Sequence, residues 1–188
     1  MPDYDLPTSA HIGSREYEIR SDWKAAMDII QVMTDQEIDD EERALVALSV
    51  FYVDFDNMNP DDFDDAISYL YWFIGGGGDE DEAQASPKVK PRLMDWTQDL
   101  PILISPINRV LGFEVRAVEY LHWWTFLAAY YEIGGDCLFA QVVSIRKKRS
   151  QGKKLDKAEQ AFYNENKNLV DFKKSLSTAE EQIFDEWT

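Results

Sequence analysis

The sequence predicts a mainly α-helical protein of two small helical units joined by a linker rich in glycine and acidic residues. Apolar stripes at helical spacing recur along the chain, and a run of four glycines interrupts them once. Residues 1–87 contain 4 Lys or Arg and 22 Asp or Glu, whereas residues 88–188 contain 15 and 14. We therefore expect an acidic N-terminal domain at 1–74, a flexible linker at 75–92 and an aromatic-rich C-terminal domain at 93–188.

The N-terminal unit is predicted to contain a short β-hairpin followed by three helices. Weak alternation of apolar residues within 11–19 favours the hairpin. Ser21 is a candidate cap for the first helix. The acidic run 39–42 favours the start of a second helix, because carboxylates stabilise the positive end of a helix dipole. Asn59-Pro60 predicts the start of the third.

The predicted linker begins at Gly75-Gly76-Gly77-Gly78 and continues through the acidic run 79–82 to Pro91. Glycine gives the backbone freedom and like charges repel one another. A phosphate-binding loop is a poor interpretation of the glycines. No strand precedes them, no Gly-Lys-Ser/Thr follows, and four carboxylates adjoin them.

The C-terminal unit is predicted to hold the longest helix of the chain, from Glu114 or Val115 to Ile133. Residues 95–103 have a helical pattern, but Pro101 and Pro106 predict that this helix is broken. Three further helices are expected: one after Asp136, one through Ala158, Phe162, Leu169 and Phe172, and a short one ending at Trp187.

Residues that carry chemistry are sparse, so we expect neither catalysis nor a cofactor nor a metal site. The two histidines and the single Cys137 form no zinc-binding spacing, and no serine lies in a nucleophile elbow. The segment Asp54 to Asp65 is similar to the start of a calcium loop. However, Met58 and Asn59 occupy its fifth and sixth positions, where a ligand and a turn glycine are needed. A loop before a helix is the better interpretation.

Charge and hydropathy narrow the expected location and partners. The chain has no apolar run of the roughly 20 residues that a bilayer requires, and its acidic start is unlike a signal peptide. A lone cysteine suits a reducing cytoplasm. The acidic half argues against contact with membranes or nucleic acid. The segment Arg146 to Lys154 has six Lys or Arg among nine residues. It could form an RNA-binding patch, a solvated helix end, or a contact with an acidic surface. The solvated helix end is favoured, because an RNA-binding patch normally has aromatic residues among its cations and this segment has none.

The aromatic segment between Glu114 and Gly135 stands apart from the rest of the sequence. A helix that is apolar on nearly every face normally lies in a core. Adjacent tryptophans diverge by about 100° on a helix, so we expect one of them to face a groove or a partner. The candidate partner-binding residues are Tyr120, His122, Trp123, Trp124 and Tyr131.

Within this segment, residues 119–126 read EYLHWWTF. This stretch resembles the E-Y-L-H-W-W-x-F signature of the gene-product-fifteen family of long-tailed phages and prophages of Gram-positive bacteria. Tyr17 and Ile19 match the family's early strand, 139–146 its F-x-x-I-V-x-I-R helix, and 162–167 its F-Y-x-x-N-K helix. The chain departs from the family pattern just after the linker, where Leu100-Pro101 and Ser105-Pro106 replace an acidic, aromatic helix.

The resemblance implies a tail assembly chaperone that binds the phage tape-measure protein until tail-tube subunits polymerise around it. Such a protein acts in the host bacterial cytoplasm and is absent from the mature virion. We expect the aromatic unit to hold an amphipathic helix and the acidic unit to keep the complex soluble. Self-association and contact with the tail-tube protein are also expected.

Two alternatives remain open from the sequence. Clustered carboxylates at 35–42, 54–65 and 79–82 would suit an acidic mimic of DNA that inhibits a host DNA-binding protein. A structural tail or head-completion protein is the other alternative.

Overall fold

The computed structural model describes residues 5–35, 37–78 and 91–173. It confirms a mainly helical fold with a short antiparallel hairpin at the N-terminal side. The hairpin consists of β1 (Ser9–Ile12) and β2 (Arg15–Glu18). The helices are α1 (Trp23–Thr34), α2 (Asp40–Phe51), α3 (Phe63–Ile74), α4 (Trp96–Leu111), α5 (Trp123–Tyr131), α6 (Leu138–Ser150), α7 (Lys157–Glu165) and α8 (Lys167–Val170). The short helix predicted to end at Trp187 lies outside the described residues.

The helix starts of the N-terminal half follow side-chain caps. Asp39 accepts a hydrogen bond from the backbone of Glu42 at the start of α2, and Asn59 caps the 3₁₀ turn that leads into α3. The predicted cap of α1 was wrong by one residue: Asp22, not Ser21, accepts from the backbone N–H of Lys24. Ser21 is instead buried and bound to another segment.

The expectation that prolines break the helix after residue 95 was wrong. α4 runs for 16 residues with Pro101 and Pro106 inside it. Each proline removes one backbone hydrogen bond from the helix. The helix survives because its apolar face is buried: Leu103 and Ile107 have no exposed surface. Tertiary burial therefore outweighs the local cost, and α4 is the longest helix in the described part of the chain.

The long helix predicted from Glu114 or Val115 to Ile133 was also wrong. The segment contains a 3₁₀ turn at Val115–Ala117, then extended chain, and only afterwards the nine-residue α5. The backbone around Leu121 pairs with the chain before α1, so it cannot make helical hydrogen bonds at the same time.

Two hydrophobic clusters hold the described residues together. The larger one contains side chains of the hairpin, α1, α2, α3, α4 and α5. The smaller one is formed by Val142, Ile145 and Val170. The larger cluster thus includes residues from both sides of 75–92, so the division between the clusters does not coincide with the predicted linker. Among the described helices, none has both the length and the apolarity needed to span a bilayer.

Candidate functional site

The segment that precedes α5 is joined to the segment that precedes α1 by a short antiparallel backbone pairing. The N–H of Trp23 donates to the carbonyl of Leu121 at 2.9 Å, and the N–H of Trp123 donates to that of Ser21 at 2.8 Å. Asp22 lies at the centre: one carboxylate oxygen caps α1 and the other accepts from the N–H of Leu121 at 3.0 Å. Two helices distant in sequence therefore begin at one shared joint.

His122 is the N-cap of α5 and is buried. Its Nδ1 accepts from the backbone N–H of Trp124 at 3.0 Å, so Nε2 carries the proton and donates to the carbonyl of Pro7 at 3.0 Å. Burial lowers the pKa of His122, although the hydrogen bond to Pro7 acts in the opposite direction. The imidazole is therefore a neutral structural group that ties the N-terminal segment to α5.

Both adjacent tryptophans contact the end of α3. The indole N–H of Trp123 donates to the carbonyl of Ile74 at 3.0 Å, and that of Trp124 donates to the carbonyl of Phe73 at 2.8 Å. The last carbonyls of a helix lack partners within the helix. The paired tryptophans satisfy two of them, and Trp123 is also fully buried in the aromatic core.

The glycines after α3 form a tight turn beneath Trp124. Gly76 and Gly77 have φ values of +84° and +79°, and the N–H of Gly77 donates to the carbonyl of Trp72 at 3.0 Å. A Cβ at Gly77 would lie 2.6 Å from Cη2 of Trp124. Glycine is required here by both the backbone conformation and the lack of space. These first residues of the predicted linker are packed against α5, whereas 79–90 lie outside the described residues.

The five predicted partner-binding residues do not share one environment. His122 and Trp123 are buried within the chain, and Trp124 is half-buried against α3. Tyr120 is 53% exposed, with its hydroxyl 2.8 Å from that of Ser21, and Tyr131 is 71% exposed. The indole N–H groups of both tryptophans face α3, and that the half-buried Trp124 also faces a groove or a partner stays a prediction. Contact with a partner stays a prediction, and Tyr120 and Tyr131 are the accessible residues of the set.

A second polar joint, which the sequence did not indicate, lies between α4, α6 and α8. The guanidinium of Arg146 binds both oxygens of Asp99, at 2.6 and 2.9 Å, and both side chains are buried. Arg146 also donates to the carbonyls of Leu169, Val170 and Leu93. The one signal available was Arg146 standing four residues after Val142 on a helix face, which the neighbouring cations concealed.

The joint changes the interpretation of the basic segment Arg146 to Lys154. Its first arginine is internal, Lys148 forms an ion pair with Glu159, and Arg149 forms one with Asp171. Three of its six cations therefore bind carboxylates of the same chain. The absence of a nucleic-acid contact stays a prediction.

Several carboxylates of the acidic clusters also bind groups of this chain. Asp62 accepts hydrogen bonds from Tyr17 and Arg15, and these two contacts, the Tyr17 bond first, lower the pKa of Asp62. Asp54 accepts from the side chain of Asn57. Within the residues that the structure describes, no three His, Cys, Asp or Glu side chains are grouped to hold a metal ion. The third cluster of the DNA-mimic hypothesis, 79–82, lies outside them.

Comparison with known proteins supplies the identity of the chain. A search of curated proteins and a search of solved structures each found no match. A family model described as Bacteriophage Gp15 protein matches residues 3–172. This range includes the hairpin, the EYLHWWTF segment and the helices up to α8. The chain therefore belongs to the bacteriophage Gp15 family and is a phage protein of a structural or assembly-related kind.

Proposed function

We propose that this protein is a non-catalytic tail assembly chaperone, which binds the phage tape-measure protein and keeps it soluble while the tail tube polymerises. The observation that carries this proposal is the family match over residues 3–172. On this proposal the protein acts in the host bacterial cytoplasm, contacts the tail-tube protein during handover and is absent from the mature virion. Self-association along the long tape-measure protein is part of the same proposal.

The surface of the chain suits such a role. The net charge is −17, and a strongly charged companion keeps an exposed apolar segment from aggregating. Large apolar side chains also remain exposed on several helices and turns: Leu45, Val46, Val53, Tyr71, Val110, Phe113, Tyr120, Tyr131 and Leu138. A protein that holds an apolar helix needs accessible side chains of this kind.

Co-expression tests the proposal directly. The tape-measure protein of the phage or prophage that encodes this chain is produced with and without the chain, and its soluble fraction is compared after centrifugation. We expect it to be soluble with the chain and to aggregate without it. Equal solubility in both cases would contradict the proposal. Mass spectrometry of purified virions provides the second measurement, because a structural tail or head-completion protein would persist there and a chaperone would not.

A further inference from the structure

A groove lies on the acidic side of the molecule, where the end of α1 meets α2 and α3. It has a volume of about 340 Å³, and its apolar lining consists of Met33, Ala44, Ala47, Ile67 and Tyr71. We call it the Tyr71 groove. The lining extends from Asp40 to Ala47 on α2 and from Ile67 to Tyr71 on α3. The hydroxyl of Tyr52, directly after α2, donates to the carbonyl of Ala66 near the start of α3, so the two helices run antiparallel.

The middle of the Tyr71 groove is apolar and open to solvent. Tyr71 is 56% exposed, and Ile67 stands one turn before it on the same face of α3. Ala44 and Ala47 of α2 line the opposite side; Ala44 is partly exposed, whereas Ala47 is buried. Because the side chain of Ala44 is short, a partner can approach α2 closely there. An exposed tyrosine beside small residues is typical of the anchor positions of protein interfaces.

Carboxylates lie at both ends of the groove. The first turn of α2 contains Asp40, Glu41 and Glu42, and the first turn of α3 contains Asp64 and Asp65. Since the helices are antiparallel, these acidic turns lie at opposite ends of the apolar lining.

The cations near the groove are already bound within the chain. Arg43, which lies at its edge, donates to Asp40 at 2.6 Å and to the carbonyl of Ile38 at 2.8 Å. The other three Lys or Arg of residues 1–87 also bind groups of this chain. Arg15 binds Asp62, Arg20 binds carbonyls in the last turn of α2, and Lys24 binds the carbonyl of Val118. The acidic ends therefore present negative charge to a partner.

We infer that the Tyr71 groove binds an amphipathic α-helix of a partner, with an apolar stripe in the middle and Lys or Arg on either side. This inference rests on the proposed function, in which that helix belongs to the tape-measure protein. Charge complementarity selects this occupant. A second copy that presented the same acidic half would bring like charges together, so two of these grooves should not pair with each other. The paired tryptophans hold α3 from within, and the exposed side of α3 binds the partner.

A synthetic helix tests the inference on the full-length chain. The probe is a fluorescein-labelled peptide of eighteen residues with leucines at i, i+3, i+4 and i+7 and lysines on both flanks. Binding is followed by fluorescence anisotropy. We expect saturable binding that weakens as sodium chloride is raised, because salt screens the flanking contacts. The same peptide with glutamates in place of lysines should not bind.

A matched pair of aromatic variants locates the site. Tyr71→Ala should weaken peptide binding roughly tenfold, as expected for an anchor residue. Phe113→Ala, which removes an exposed aromatic side chain outside the groove, should change it less than about twofold, as for a residue outside the contact. Circular dichroism confirms that both variants are folded. Equal loss in both variants, or none in Tyr71→Ala, would overturn the inference.

Co-expression with the tape-measure protein separates this inference from the proposed function. If the wild-type chain keeps that protein soluble and Tyr71→Ala does so equally well, the groove is not the binding site although the chaperone role stands. If the wild-type chain has no effect on solubility while the peptide still binds at Tyr71, the chaperone role fails and the groove remains a helix-binding site.

Discussion

Two sets of polar contacts at helix ends use opposite chemistry. We call the contacts of the paired tryptophans with α3 the aromatic joint, and those of Arg146 and Asp99 the ionic joint. At the first, the uncharged indoles of Trp123 and Trp124 donate to the last carbonyls of α3 inside a large aromatic cluster. At the second, the charged pair Arg146 and Asp99 gathers the carbonyls of Leu169 and Val170 beside a cluster of three buried apolar residues. Each joint satisfies carbonyls at the end of a helix, although one does so with neutral donors and the other with a guanidinium.

The two kinds of hydrogen-bond donor differ with the amount of apolar surface buried around each joint. Where much apolar surface is buried, an indole adds packing and one hydrogen bond at no cost in buried charge. Where little apolar surface is available, five N–H donors on one side chain organise several carbonyls at once. That arrangement buries the charge of Arg146 and is stable only when its counter-ion, Asp99, is present. The stability of the aromatic joint should therefore depend on the buried volume of its side chains. The stability of the ionic joint should depend on the presence of both charged partners.

The largest expected effect is at the aromatic joint. Trp123→Ala should lower the free energy of unfolding by about 3–5 kcal/mol for the lost buried volume, and by roughly 1 kcal/mol more for the orphaned carbonyl of Ile74. Urea denaturation followed by circular dichroism measures this. Tyr131→Ala, an exposed position on the same helix, serves as the control and should stay near wild type. A loss below about 1 kcal/mol for Trp123→Ala would mean that the core does not depend on this indole.

The ionic joint should respond almost as strongly to the loss of one partner. Asp99→Ala leaves Arg146 buried without its counter-ion, so we expect a loss of about 3–5 kcal/mol in the free energy of unfolding. The matched control is Asp136→Ala, which removes the partner of the exposed Arg109 and should have little effect. The double variant Asp99→Leu with Arg146→Met removes both charges. It should be more stable than Asp99→Ala alone; the opposite result would show that the pair contributes beyond mutual neutralisation.

The two joints also differ in how much of each could be predicted from the sequence. The concentration of apolar residues in the aromatic segment predicts a core element, and periodicity predicts the hairpin and α1 to α3. No local pattern indicates the extended chain before α5, since Asp22 and Leu121 are 99 residues apart in sequence. Arg146 is indistinguishable from surface charge in the sequence, because pairing with one distant carboxylate leaves no local signal. Pairing across the chain is what a one-dimensional pattern cannot show.

The glycine turn after α3 is the most instructive difference between prediction and structure. Four glycines predict freedom, yet two of them adopt positive φ values beneath Trp124. The glycines in the sequence indicate the conformational freedom that the turn needs, but not the contact with Trp124 that makes it necessary. Whether the residues that follow separate two domains stays a prediction.

Adjacent glycines offer a matched test of this contact. Gly77→Ala forces a non-glycine residue into the left-handed region, which costs about 1–3 kcal/mol, and places a Cβ against the ring of Trp124. Gly78→Ala has no atom within 4 Å of its new Cβ and no positive φ. We therefore expect a lower unfolding midpoint for Gly77→Ala alone, measured by thermal denaturation. Near-identical midpoints would show that both glycines act as unconstrained chain.

The smallest expected effect is a pH dependence of the free energy of unfolding, which arises from His122 beside the aromatic joint. His122 is buried as the neutral imidazole, and its pKa is lowered by that burial, whereas an unfolded histidine titrates near about 6.5. As pH falls below that value, the imidazole binds a proton in the unfolded chain but not in the folded chain. The free energy of unfolding therefore decreases until the pH has passed the lowered pKa of the folded state. Carboxylates contribute at lower pH. The hydrogen bond from Arg116 lowers the pKa of Glu114 to about 2, so its contribution is lost only as pH falls below the usual carboxylate range of about 4.

Urea titrations at closely spaced pH values between the histidine and carboxylate ranges isolate the imidazole. His122→Asn keeps an acceptor at the N-cap of α5 but cannot be protonated. It should be less stable than the wild type at neutral pH, because the bond to Pro7 is lost, and its stability should change less with pH in this window. If His122→Asn retained the full slope, the neutral histidine would not be the origin of the pH dependence, and the aromatic joint would be sensitive to volume alone.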